Sequence, residues 1–136
     1  IDEDSLNPVI FIAQTTHLKS FLGLKLYNKI HSDYTNNALQ GVYLEMFDNY
    51  IKDVLCYKTA SLYVELSGYK VSELGIHKIN SENREVISES EINSLSLRLN
   101  KLAANIEGNF KEYVQDLDVP ELENNEINTD NNFPWH

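Results

Sequence analysis

From Leu39 onward, apolar residues fall at Leu39, Val42, Tyr43, Met46, Phe47, Tyr50, Ile51, Val54 and Leu55. This is the i, i+3, i+4, i+7 spacing of a helix with one buried face, and it predicts a helix over about 36–58. Gln40, Glu45, Asp48, Lys52 and Lys58 lie on the opposite face, with Asp48 and Lys52 at a favourable i, i+4 spacing. A second stripe, Ile92, Leu95, Leu99, Leu102, Ile106, Phe110, Tyr113 and Leu117, advances in steps of three and four, close to a heptad seam. Ser88 with Glu91 three residues on reads as a capping box, so a helix is predicted over 88–117, with Gly108 its weak point and Val119-Pro120 its end. Upstream, Phe11, Ile12, Leu18, Phe21, Leu22, Leu26 and Ile30 predict a helix over 8–31 that starts at Asn7-Pro8. Its apolar spacing has a gap at Ala13–His17, and Gly23 in its middle costs about 1 kcal/mol relative to Ala.

Residues 59–87 admit two readings. Ser61-Leu62-Tyr63-Val64-Glu65-Leu66 alternates like a strand, and Ile76–Ile79 and Arg84–Ile87 flank a polar turn, which suggests a β-hairpin near 76–87. The other reading, slightly favoured, is a third helix over 60–74 followed by a loop. Either way the fold class is mostly α, a small helical bundle of three to four helices. It is expected as a single helical domain over 1–118 followed by an acidic, Asn-rich tail over 119–136.

The chain has 136 residues, enough for one core. Its 21 acids against 11 bases give a net charge of −10, but the excess is local. Asp2, Glu3 and Asp4 lie at one end. Glu112, Asp116, Asp118, Glu121, Glu123, Glu126 and Asp130 lie in 112–136, which has no Lys or Arg. Residues 5–111 are therefore formally neutral. Direct nucleic-acid binding is not expected, because phosphate contacts need surplus Lys and Arg. Mimicry of DNA would need its charge on the folded face. No apolar run is long enough to span a membrane, and one cysteine excludes a disulfide scaffold. The sixteen Asn hint at an A/T-rich genome, such as that of a phage, and assign no chemistry.

The chemistry-bearing residues form no motif. His17, His31, His77 and His136 share no metal-ligand spacing. Cys56 falls beside core positions in the second helix, where packing is expected of it. Tyr43, Tyr50 and Tyr57 recur every seven residues, as expected at a core border where the ring is covered and the hydroxyl reaches water. His17, His31, Glu45 and Asp48 sit on two successive helices whose outline, over 10–58, resembles the first two helices of ferritin-like proteins of the Dps kind. That resemblance implies a metal-binding bundle, but the Glu-x-x-His of di-iron bundles is missing. His17 and His31 lie about 21 Å apart along a straight helix, too far to share an ion. No cofactor is expected.

Two features point to docking. A helix over 92–117 spans about 39 Å, longer than a compact domain of this size, so part of it is expected to meet another surface through Leu99, Leu102, Ile106 and Phe110. The tail joins a flexible acidic stretch to Phe133-Pro134-Trp135-His136, and Phe133, Pro134 and Trp135 are the expected anchor. In design it is similar to the acidic tails of bacterial single-stranded-DNA-binding proteins, although the body lacks their basic, strand-rich pattern. The expected function is a non-enzymatic interaction or structural/accessory subunit of a larger assembly of phage, mobile-element or multi-subunit type. Its partner is a protein or a second copy of itself. The alternatives are a ferritin-like metal-binding bundle, and an immunity or inhibitor protein for a basic toxin or nuclease, which requires an acidic patch on the folded body.

Overall fold

The structure is a computed structural model and describes residues 3–74 and 88–122, with side chains over 6–67 and 88–122. It is mostly helical, and no strand occurs among the described residues. In chain order come α1 (Glu3–Ile12), the π-helical segment π1 (Ala13–Leu18), α2 (Lys19–Leu22), α3 (Leu24–Thr35), α4 (Gly41–Met46), π2 (Phe47–Ile51), α5 (Lys52–Leu74) and α6 (Glu89–Val114). α1, π1 and α2 run on as one rod, as do α4, π2 and α5. The expected hairpin near 76–87 lies outside the described residues.

The gap in the apolar spacing at 13–17 is where π1 forms. A π-helical turn takes five residues per hydrogen bond, so Ala13 and Leu18, five apart, are both buried. The hydroxyls of Thr15 and Thr16 donate to the carbonyls of Phe11 (2.9 Å) and Ile12 (2.6 Å) just where α1 gives way. That local competition loosens the i→i−4 ladder. π2 does the same between Met46 and Ile51, both buried and again five apart.

Several expected boundaries move. The helix over 8–31 starts earlier, at Glu3, and Pro8 sits inside α1 at the loss of one backbone bond. It is cut at Gly23, whose φ of 84° and ψ of 153° no helix contains. Its N–H still bonds the Lys19 carbonyl and its own carbonyl receives the Tyr27 N–H, so the chain turns with little loss of pairing. α3 then continues to Thr35. The next helix begins at Gly41 rather than 36, because Asn37 (φ 58°) takes the left-handed conformation that ends α3, and Gln40 is extended. The helices expected over 36–58 and 60–74 are one rod running to Leu74, so the strand-like alternation at 61–66 is helical. α6 opens on the expected capping box, Ser88 and Glu91 exchanging side-chain and backbone bonds. It ends at Val114, before the 117 expected.

Leu18, Leu22, Leu26, Ile30, Met46, Ile51, Val54 and Phe110 make one core. Leu22, Leu26, Met46, Ile51 and Val54 are fully buried, each stabilising the fold by about 1.5–3 kcal/mol. α6 lies antiparallel to the α4–π2–α5 rod: Tyr113 meets Glu45 and Tyr50, Lys58 meets Asn100, and Ser61 meets Ser96. Among the described residues, no helix is long and apolar enough to cross a membrane.

Candidate functional site

α5 and α6 approach through small polar residues. Ser61 and Ser96, both buried, share a 2.8 Å hydrogen bond, and Ser96 donates to Glu65 at 2.5 Å. One turn along, Lys58 donates to Asn100 at 2.9 Å. His17, placed by π1, pairs with Glu107. These groups surround a polar pocket of about 320 Å³ reached by Thr16, His17, Lys58 and Asn100. Each bonds another member of the seam, so the seam fixes the register of α6 on its neighbours.

This contact has a consequence for the leucine stripe. The buried line of α6 is Ser96, Ala103 and Phe110, at a seven-residue repeat. Leu95 and Leu102 each precede a member of that line by one residue and so lie about 100° round the helix. They are 39% and 38% exposed, with Leu99 half-buried between them. Leu97, on the other flank, is 58% exposed. Thus the stripe read from the sequence is split. Phe110 is taken into the intramolecular core, where Phe21 and Tyr50 pack on it at 5.4 and 5.6 Å, and Ile106 packs against that core. Leu102 stays on the surface, joined there by Leu95.

A second apolar surface lies between the first rod, α3 and π2–α5. It is an open groove of about 200 Å³ whose lining includes Ile10, Leu18, Tyr27, Ile30, Tyr34 and Phe47. The Tyr34 ring sits 5.2 Å from Phe47, and the Lys19 ammonium lies 6.0 Å from the centre of the Tyr27 ring. Tyr34 is 60% exposed. The sequence hides this groove, because its residues come from three separate stretches and several double as core positions.

The other predicted residues fall apart. His31 stacks on Tyr27, Glu45 accepts a hydrogen bond from Tyr113, and Asp48 lies 3.9 Å from Lys52. With His17 on Glu107, the four are not brought together, and no group of three or more His, Cys, Asp or Glu placed to hold a metal occurs among the described residues. Cys56 is exposed rather than packed. Tyr43, Tyr50 and Tyr57 are half-buried, as expected of a core border. Phe133, Pro134 and Trp135 lie outside the described residues. The start of the expected tail is seated on the body: Val119 and Leu122 pack on the core, and Tyr43 donates to Glu121 at 2.7 Å.

Burial and the neighbouring carboxylates raise two tyrosines. Tyr43 is pushed up to about 12 by desolvation first, then by its bond to Glu121 and the charges of Glu121 and Asp33. Tyr113 is pushed up to about 12 by its bond to Glu45 first, then by desolvation and the charge of Glu45.

No curated protein and no solved structure matches the chain. A family model matches residues 18–132, so the chain belongs to the Family of unknown function (DUF6712).

Proposed function

We propose that this family member is a non-enzymatic interaction protein, a structural or accessory subunit of a larger assembly of phage, mobile-element or multi-subunit type. It docks to its partner through the leucine flank of α6, and the acidic, aromatic segment that follows is a second docking element. The observation that carries the reading is the rotation of α6: its buried line is Ser96, Ala103 and Phe110, while Leu95 and Leu102 stay exposed beside it. Leucines at a seven-residue repeat on one flank of a long helix are a ready seam for a second helix. A contiguous apolar strip left in water marks an interaction surface more often than scattered single residues do.

The partner is a protein presenting an apolar helix face, or a second copy of this chain. The test is the double variant L95E/L102E, which touches no buried position. The native chain is expected to sediment as a complex, with its partner or with itself, and the variant as a monomer of unchanged helicity. A native chain that is monomeric both alone and as isolated from its source would overturn the reading.

A further inference from the structure

The groove between the first rod, α3 and π2 has no occupant among the described residues, and its shape and surroundings fit one segment of this chain. We propose that Phe133-Pro134-Trp135 of the same molecule docks there, so that the acidic segment folds back over the body. This rests on the reading of 119–136 as a docking segment and names the surface it takes.

Four observations carry the proposal. First, the size fits: a cavity of about 150 Å³ takes a benzene ring, and this groove holds about 200 Å³ between Tyr27, Tyr34, Phe47, Ile10 and Ile30. Aromatic walls favour an aromatic guest in offset or edge-on contact. Second, the segment leaves the body nearby. Glu121 is bonded to Tyr43, and Tyr43 lies about one helical turn before Phe47 of the groove. Third, the reach is ample. Phe133 lies eleven residue steps beyond Leu122; extended, these span up to about 36–40 Å, and as a flexible chain about 17–20 Å. Fourth, the charges agree. The segment carries Glu123, Glu126 and Asp130 with no Lys or Arg, while Lys19 stands over Tyr27 at the groove. Because the segment is tethered, docking is intramolecular and needs little intrinsic affinity.

Trp135 is the single tryptophan of the chain, so its fluorescence reports on this segment alone. The experiment compares acrylamide quenching of Trp135 in the native full chain, in the urea-unfolded chain and in the Tyr34→Glu variant. Tyr34 is exposed at the groove, and the substitution places a like charge beside the incoming acids. The expected result is a native quenching slope several-fold below that of the unfolded chain, unchanged on dilution and raised toward the unfolded value in Y34E. A native slope equal to the unfolded one overturns the proposal, and this comparison needs no variant to fold. Protection that vanishes on dilution assigns the groove to a second copy, and protection that Y34E leaves intact places Trp135 elsewhere; either also overturns it. L95E/L102E is expected to leave Trp135 protected, so failure here and failure of the α6 reading are separate results.

Discussion

Thr59 is buried, and its hydroxyl has no hydrogen-bond partner. A hydroxyl stripped of water without a partner costs about 1–3 kcal/mol. Thr59→Val keeps the shape and removes the group, so a gain of about 1 kcal/mol is expected in urea unfolding; a loss would mean that the hydroxyl is bonded after all. Tyr43 and Tyr113 act in the opposite way, since each hydroxyl donates to a carboxylate only while protonated. Both are raised from 10.0 to about 12 in the folded chain. Their contribution is therefore complete below about pH 10 and is lost as pH rises from about 10 to about 12. Alkaline titration should show a late tyrosine component that disappears in Y43F/Y113F, together with a shallower alkaline loss of stability; an unchanged titration would contradict both bonds. The tyrosine repeat at 43, 50 and 57 was legible as a core border. The carboxylates it meets were not, because Glu121 is 78 residues from Tyr43 and Glu45 is 68 from Tyr113.

At the scale of elements, the apolar spacing marks the helices well and their interruptions poorly. The gap at 13–17 shows in the sequence, but only the structure identifies it as a π-helical turn that carries burial from Ala13 to Leu18 and turns His17 toward Glu107. Gly23 reads as a mere weak point, yet it is the break between α2 and α3. Gly23→Ala would force a side chain into a φ of 84° and is expected to cost about 1–3 kcal/mol. Gly108 is the control: a Cβ there meets nothing within 4 Å in the middle of α6. Gly108→Ala is expected to stabilise by about 1 kcal/mol. Urea midpoints of the two variants should move in opposite directions, and a neutral G23A would sink this account of the break. The leucine stripe on α6 misled for a physical reason. Periodicity finds the apolar face but not which line on it a neighbour approaches, and here the approach runs through Ser61 and Ser96, small residues that apolar counting ignores.

For the molecule as a whole, the net charge of −10 first suggests a polyanion, but the excess acids lie in the terminal stretches and 5–111 is neutral. Helical class was legible from spacing alone. Of the residues expected to dock, Leu102 is on the surface, whereas Phe110 belongs to the core. Two apolar surfaces stand out among the described residues, the α6 flank and the aromatic groove; the first is proposed for a partner and the second for the chain's own aromatic segment. The proposed function rests on the first of these. Its most direct test is native mass spectrometry of the protein isolated from its source, with the unaltered chain and L95E/L102E side by side. The expected result is a stoichiometric complex, with another polypeptide or a second copy, that is present for the unaltered chain and absent for the variant. A bare monomer in both samples, or a complex that survives the two substitutions, would contradict it.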